Sequence, residues 1–195
     1  MKIMILNTCG AECVVALFSP GSNEFYERKS VKTNHHAESL FPLIDMVLSE
    51  GGISYQNLTD IAVIIGPGSF TGLRVSLATA QGFELASSVA VHGISLLELQ
   101  AYSILCASEQ TEEDIVAVIE STKADFVYYQ MFNNSLIPLT DVHLVPLNEV
   151  PQGKILKGSP AIALDTKSIG LYLIYKLSNR LPKTALAPIY SRFYH

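Results

Sequence analysis

Apolar and polar positions at the start of the chain fall into short runs that predict strands. The runs at 2–8 and 13–19 are almost wholly apolar, which is typical of strands buried on both faces. Residues 24–31 alternate more and predict a third, more exposed strand, and the sequence Pro-Gly-Ser-Asn at 20–23 predicts the turn of a hairpin before it. The chain therefore opens with three consecutive strands.

Helical spacing follows from about 36 to 50, where aliphatic residues recur every three or four positions and mark one apolar face. Gly51 is a natural C-cap for this helix, and Pro42 inside it predicts a kink or a later start. Four further elements alternate between strand and helix: a strand at 61–65, a helix at about 71–88, a strand at 89–95 and a helix at 96–107.

The second half of the chain repeats this order in a shorter form. Its predicted elements are strands at 114–121, 124–133, about 135–146 and 154–158, and a helix at 167–178. Because three strands open each half, we predict an α/β fold of two tandem ribonuclease-H-like units, as in the actin/Hsp70/sugar-kinase superfamily, with the second unit shortened. The predicted subdomains are 1–108 and 109–195, divided near the polar stretch at 108–112.

The composition narrows the class of protein. Hydrophobic residues make up 49% and charged residues 16% of the 195, yet no apolar run reaches the roughly 18–20 residues of a membrane helix. A formal charge of −5 without basic clusters argues against binding nucleic acid alone. We expect a cytoplasmic chain, without membrane contact, whose three cysteines stay reduced.

The sequence IIGPGSFTGLR at 64–74 places glycines between an apolar strand and a helix, where many proteins bind phosphate. It is not a Walker A loop, because no lysine follows its last glycine, and it is one residue longer than the dinucleotide-binding turn. A phosphate contact would use the glycine backbone, a capping hydroxyl and an arginine in the first helical turn. The candidate loop residues are Gly66, Gly68, Ser69, Thr71, Gly72 and Arg74. A tight strand-to-helix turn without a ligand is the alternative.

The helix after this loop carries small residues on one face. Ala78, Gly82 and Ala86 lie four positions apart, so they line up along the helix. A glycine in a helix interior costs about 1 kcal/mol relative to alanine, so Gly82 indicates a packing role. Close packing inside the chain and docking of a partner helix both remain open.

Six motifs, in order, resemble the TsaB (YeaZ) family, and together they cover nearly the whole chain. The most specific is GPGSFTGLR with the small-faced helix that follows it. The others are ILNTCGAECVVALF, HHAESLFPLIDMVL, GISLLELQAY, IVAVIESTKADFVYYQMF and PIYSR at 188–192.

The resemblance implies a role in making N6-threonylcarbamoyladenosine on tRNAs that read ANN codons. The chain would be a non-catalytic partner of TsaD, the metal-bearing transferase, with the ATPase TsaE at their junction and tRNA reached only through the complex. It implies no cofactor or metal for this chain alone, and ATP or ADP at the complex interface stays open.

The resemblance also implies an interface. Members of the family pair through N-terminal helices, with TsaD or with themselves as homodimers, and those helices match 36–50 and 71–88. The implied interface residues are Leu40, Leu43, Val47, Ala78, Gly82 and Ala86.

Two departures from the family pattern argue against catalysis by this chain. Asn7 stands where the family has an aspartate in its first strand, which removes a charge that would hold Mg²⁺. The sequence Glu-Ser-Thr at 120–122 replaces Asp-Ala-Arg, so an arginine that could contact an anion is missing.

Three enzyme classes are the alternatives to a non-catalytic role. A metal-dependent protein like the M22 glycoproteases needs histidines on one helix face, but His35 and His36 are adjacent and point apart. A small-molecule kinase of the same superfamily needs the missing first-strand acid. In a serine hydrolase, glycines would flank the nucleophile Ser69 at positions 67 and 71, where this chain has proline and threonine.

Overall fold

The computed structural model describes residues 1–107, 113–151, 156–157 and 165–190, with the backbone alone at 156–157. The division between the two predicted subdomains, at 108–112, lies outside the described residues. No helix in the described part is long and apolar enough to cross a bilayer.

The first sheet contains five strands in the order β3-β2-β1-β4-β5. They are β1 (Ile3–Asn7), β2 (Val14–Ser19), β3 (Glu24–Lys29), β4 (Asp60–Gly66) and β5 (Ala90–Ser95). Strand β2 is antiparallel to β1 and β3, whereas β4 is parallel to β1 and β5. The nearly continuous apolar runs of β1, β2 and β4 are explained by helices that cover both faces of the sheet.

Helices α1 (His36–Glu50) and α2 (Phe70–Ala86) cover one face of this sheet. The predicted late start of α1 is wrong, because the helix is continuous through Pro42. Gly51 caps α1 in a right-handed conformation, and it is Gly52, with φ of 62°, that takes the left-handed turn. The bond from the Ile53 amide to the Leu48 carbonyl (3.1 Å) then closes the helix end.

Helices α3 (Leu96–Ala107) and α4 (Thr166–Ser178) lie on the opposite face of the first sheet. One apolar core joins both helices to both sheets, and α4, which follows the second sheet in the chain, packs on β1 and β2 of the first. The Gln100 side chain of α3 donates to the Val118 carbonyl of the second sheet at 2.8 Å. The two halves of the chain therefore share a core.

The second sheet has four strands in the described residues, in the order β8-β7-β6-β9. They are β6 (Ile115–Glu120), β7 (Phe126–Phe132), β8 (His143–Pro146) and β9 (Leu156–Lys157). Strand β7 is antiparallel to β6 and β8, and β9 is parallel to β6, so the order repeats that of β1 to β4. This repeat is the ribonuclease-H-like duplication that the sequence predicts, in the shortened form.

The strand predicted at 135–146 is wrong over most of its length. The Asn133 side chain accepts hydrogen bonds from the amides of Ser135 (3.0 Å) and Ile137 (2.9 Å), which closes a turn. Leu136 inside that turn has φ of 60°, so the chain cannot continue as a strand there. Only His143–Pro146 pairs with β7 over several residues.

A buried ion pair ties α3 to α4. The Lys176 ammonium lies 2.7 Å from Glu98 Oε1, and the Thr184 hydroxyl donates to the same oxygen at 2.7 Å. The other carboxylate oxygen, Oε2, accepts the Ser95 amide at 2.9 Å. Both carboxylate oxygens are thus satisfied away from water, which is the condition for tolerating a buried charge.

We predict that Lys176→Met lowers the free energy of unfolding by about 3–5 kcal/mol, because it leaves the Glu98 carboxylate buried without its counter-charge. The double variant Glu98→Gln/Lys176→Met should recover most of that loss. Urea denaturation measures both values. Lys183→Met is the matched control, since Lys183 is exposed and should change stability little; an equal loss in Lys183→Met would contradict the assignment.

Candidate functional site

The glycine loop between β4 and α2 packs directly against the end of β1. A Cβ added at Gly72 would overlap the Thr8 carbonyl oxygen, and one added at Gly68 would lie 2.5 Å from the Cys9 carbonyl oxygen. Such separations are shorter than real carbon–oxygen contacts, so both positions require glycine. The space next to these glycines is therefore filled by the chain's own backbone.

Hydrogen bonds fix the same junction. The Ser69 amide donates to the Cys9 carbonyl at 2.8 Å, and Ser69 Oγ accepts the Gly72 amide at 3.2 Å as the N-cap of α2. Ser69, and not Thr71, is thus the capping residue. On the buried side, Thr8 Oγ1 lies 2.7 Å from the Gly72 carbonyl and 2.8 Å from Ser76 Oγ.

The C-terminal segment at 181–190 closes over the other side of the loop. The Ile189 amide donates to the Ile65 carbonyl at 2.7 Å, and a Cβ on Gly66, whose φ is 110°, would meet the Ile189 carbonyl oxygen. Tyr190 then packs edge-on against Phe70, with ring centroids 4.8 Å apart. The loop is therefore held between β1 and this returning segment.

Arg74 does not extend freely from the first turn of α2. Its guanidinium lies over the Phe70 ring, 3.9 Å from the centroid. This is a cation–π contact at an exposed ring, which stabilises the turn by about 0.5–1 kcal/mol. Arg74 thus lies near the start of α2, as the sequence predicts, and its guanidinium contacts an aromatic ring.

A cleft of about 260 Å³ separates the loop from the second sheet. Pro67, Ser69 and Phe70 lie on one side, and Glu120 and Tyr128 lie on the other. Among the described residues that line it, the one full charge is the Glu120 carboxylate, which repels phosphate. The predicted phosphate contact is untested, and the packing above accounts for the glycines without it.

Asn7 lies at the end of β1, at the first-strand position singled out from the sequence. Its side-chain oxygen accepts the Cys9 amide at 3.2 Å, so it helps to shape the turn that receives the glycine loop. An amide here supplies an acceptor without a negative charge. Within the described residues, no group of three or more His, Cys, Asp or Glu is arranged to hold a metal ion.

The small face of α2 is open to solvent. Ala78, Gly82 and Ala86 are exposed, and a Cβ added at Gly82 would meet no atom within 4 Å. Close internal packing is therefore not the reason for Gly82. The face instead forms the floor of a groove of about 460 Å³, called here the α2 groove, whose walls include Phe41 and Tyr55.

The α2 groove is unusually apolar for exposed surface. Phe41 is 55% exposed and Tyr55 is 44% exposed, although both carry large rings. Phe83 lies beside Tyr55 with ring centroids 6.2 Å apart, and Leu85, on the same helix, is 90% exposed. Contiguous apolar surface of this kind marks an interaction site.

Three of the predicted interface residues must be corrected. Leu40, Leu43 and Val47 are buried in the core between α1 and the first sheet, so their side chains do not reach a partner. They are the apolar face that makes α1 amphipathic, and that face points inward. The residue of α1 that lines the groove is Phe41, whose position off the apolar face was the signal in the sequence.

Two groups packed near the loop, one buried and one half-buried, are held neutral. Burial lowers the pKa of His36, against a smaller opposing effect of the Gly10 backbone. Burial also raises the pKa of the Cys9 thiol to about 11, so it is protonated at neutral pH. His35, by contrast, is exposed and pairs with Glu38 at 2.8 Å, so the two adjacent histidines point apart as predicted.

Comparison with known proteins identifies a family that this chain matches. A family model described as TsaD, tRNA N6-adenosine threonylcarbamoyltransferase, matches residues 24–142, which is more than half of the chain. The matched segment includes α1, the glycine loop and α2, and therefore the whole α2 groove.

Two of the curated relatives are both named TsaB. The chain is 31% identical over 102 residues to the tRNA threonylcarbamoyladenosine biosynthesis protein TsaB of Escherichia coli strain K12, over 52% of this chain and 43% of that protein. It is 28% identical over 131 residues to TsaB of Haemophilus influenzae, over 67% of this chain and 54% of that protein. The chain spans about half the length of these relatives.

A solved structure establishes the fold. YeaZ from Pseudomonas aeruginosa superposes with a TM-score of 0.71 at 20% identity, over 97% of this chain and 99% of that one. The predicted α/β fold is thus confirmed.

We predict opposite effects for two Gly→Ala substitutions in α2. Gly72→Ala should lower the free energy of unfolding by about 3 kcal/mol or more, because the methyl group overlaps the Thr8 carbonyl. Gly82→Ala should raise it by about 0.5–1 kcal/mol, since alanine favours the helix and the added methyl group enters open space. Equilibrium urea unfolding compares the two, and effects of the same sign would refute the description of this helix.

We predict that His36 makes the chain less stable in mild acid. The pKa of His36 in the folded chain is below its value in the unfolded chain, so the unfolded state binds more protons once the pH falls through the ordinary histidine pKa of 6.5. Stability should be full above that pH and fall by up to about 1 kcal/mol toward pH 5.5.

Unfolding of His36→Leu at pH 7.5 and pH 5.5 checks this, because the substitution should remove most of the loss. His143→Leu is the control, since His143 is exposed. An unchanged pH dependence in His36→Leu would contradict the assignment.

Proposed function

The chain belongs to the family of TsaD, the tRNA N6-adenosine threonylcarbamoyltransferase, and we propose that it is a non-catalytic partner subunit of TsaD. In this role it supports the formation of N6-threonylcarbamoyladenosine on tRNAs that read ANN codons. The observation that carries the proposal is the exposed α2 groove, because the fold leaves an apolar surface where a partner helix fits. The names of the TsaB relatives support the pathway.

The chemistry of the groove favours a helix as its occupant. Ala78, Gly82 and Ala86 present almost no side chain, so a second helix can approach α2 closely. Phe41 and Tyr55 stand at the sides and offer large apolar contacts of the kind that dominate interface energies. We propose that the docked element is a helix of TsaD, and that a second copy of this chain occupies the groove when TsaD is absent.

We also propose that this chain catalyses no step itself, and residues at the end of β1 and in the cleft support this. Asn7 supplies a neutral amide at the strand end where an acid would hold a metal–nucleotide pair, and it is engaged with the Cys9 amide. The cleft between the glycine loop and the second sheet carries Glu120 and, among its described lining residues, no cation. We therefore place any ATP or ADP at an interface of the complex, where TsaE joins it.

The route to tRNA follows from charge. A formal net charge of −5 gives this chain little attraction for a polyanion, so tRNA contacts would come from the other subunits of a cytoplasmic complex. The chain would act by holding TsaD in an active arrangement.

Reconstitution tests the proposed function. TsaD, TsaE, tRNA and the threonylcarbamoyl adenylate are combined with or without this chain, and modified adenosine is measured. Modification should require the chain, and the chain with the adenylate and tRNA but without TsaD should give none. Modification that proceeds equally well without the chain would overturn the proposal.

We predict that Gly82→Leu abolishes pairing with TsaD while the monomer stays folded. The added Cβ meets no atom of its own chain within 4 Å, and the rest of the side chain fills the α2 groove, where it occupies the space of the partner helix. Sedimentation velocity measures pairing, and thermal unfolding checks the monomer.

Ser178→Leu is the matched control, because it adds the same side chain at an exposed helical position outside the groove. Pairing should survive in this variant. If Gly82→Leu pairs as well as Ser178→Leu, the α2 groove is not the interface.

A further inference from the structure

A further cavity, lined in part by basic side chains, shares no lining residue with the glycine-loop cleft or the α2 groove. It has a volume of about 280 Å³ and is enclosed by β5, the end of α4 and the segment that follows α4. Leucine side chains form its apolar part, and its polar lining residues are Glu84, His92, Lys176, Arg180, Lys183 and Thr184. We call it the basic cavity.

Lys176 supplies the buried charge of the basic cavity. The residue is 5% exposed, and its ammonium group binds Glu98 Oε1 at 2.7 Å and Thr184 Oγ1 at 2.5 Å. A lysine ammonium has three protons to donate, so one remains for a ligand in the cavity. The buried ion pair thus holds the Lys176 ammonium, a hydrogen-bond donor, in the wall of the basic cavity.

Arg180 is held in the wall by an uncommon backbone conformation. It has φ of 54° at the position that follows Asn179, the C-cap of α4, where glycine is the usual residue. The amides of Arg180 and Leu181 bond back to the carbonyls of Leu177 (3.2 Å) and Lys176 (2.9 Å), which completes the helix end. The chain keeps an arginine where its backbone would favour glycine.

The exposed cations of the basic cavity have no carboxylate partner within the described part of the chain. Neither Arg180 nor Lys183 forms an ion pair with another residue of the described chain, and His92 is bound to Asp60 at 2.9 Å. Among the described residues that line the cavity, Glu84 is the one acid. The C-terminal dipole of α4 opposes an anion, but the carbonyls of Lys176 and Leu177 are already bonded, which reduces that effect.

We propose that the basic cavity binds a small anionic molecule, one phosphate or carboxylate group with a short apolar body. The anion would contact Arg180, Lys183 and the free proton of Lys176, and the apolar body would lie against Leu177 and Leu186. This site is separate from the α2 groove and does not depend on the proposed function.

Calorimetric titration of the intact chain with phenyl phosphate tests the proposal, and benzoate is the carboxylate arm. Saturable binding at a single site is expected for at least one of the two probes, and phenol, which has the apolar body without the charge, should not bind. The proposal is wrong if neither anion gives saturable binding with a Kd below about 5 mM, because a higher Kd means weaker binding than at most specific ligand sites.

Substitutions locate the site. Lys183→Gln should weaken binding about tenfold, as expected when one charge-assisted hydrogen bond is lost. Glu84→Gln should strengthen it, because a repelling carboxylate is removed. Lys32→Gln is the control, since Lys32 is exposed and distant in the fold, and it should leave affinity unchanged. An equal loss in Lys32→Gln would show attraction to net charge alone and overturn the proposal.

Arg180→Gly separates binding from folding. Glycine accepts the positive φ without strain, so the variant should unfold at the same or a higher temperature while its affinity falls about tenfold. If Arg180→Gly is as stable as the original chain and binds the anion equally well, Arg180 is not part of the site. If Lys183→Gln also binds with unchanged affinity, the proposal is refuted.

Discussion

The contact between the Thr8 carbonyl and the Gly72 backbone is the constraint on which the candidate site depends. Because no side chain separates the two segments, α2 starts directly against the end of β1. The Ser69 cap and the Thr8 hydroxyl then fix the direction in which α2 leaves the loop. A side chain at position 72 would push the helix away from the sheet.

The position of α2 decides which of its faces is exposed. Leu77 and Ala80 pack into the core shared with α1, and Leu73 is buried as well. The opposite face, with Ala78 and Gly82, therefore points outward. The same glycine-rich sequence that first suggests phosphate binding thus also determines which face of α2 is exposed. In this fold the loop and the α2 groove are one structural unit, and a defect in the loop would also disturb the groove.

Much of the fold could be predicted from the sequence, because strong periodicity and buried strands leave clear patterns. The bounds of α1 and α3 and the repeat of three strands are confirmed. The failures arise where local chemistry overrides pattern. Asn133 closes a turn inside a predicted strand, and α1 does not start late at Pro42.

The candidate site was predictable only in part. Helical periodicity identifies the face of α1 that carries Leu40 and Val47, but it does not say whether that face meets the chain's own sheet or a partner. The sheet takes it, and the groove is built from residues outside the pattern, such as Phe41 and Tyr55. The basic cavity was not predicted, since β5 and the segment after α4 meet only in the folded chain.

Hydroxyl-radical footprinting of this chain, alone and with TsaD, tests the central claim most directly. The claim predicts that oxidation of the groove rings of Phe41, Tyr55 and Phe83 falls when TsaD binds, while Phe70 and Tyr190 beside the cleft keep their reactivity. Unchanged groove rings together with protection of Phe70 and Tyr190 would contradict it, because TsaD would then dock on the cleft and not on the α2 groove.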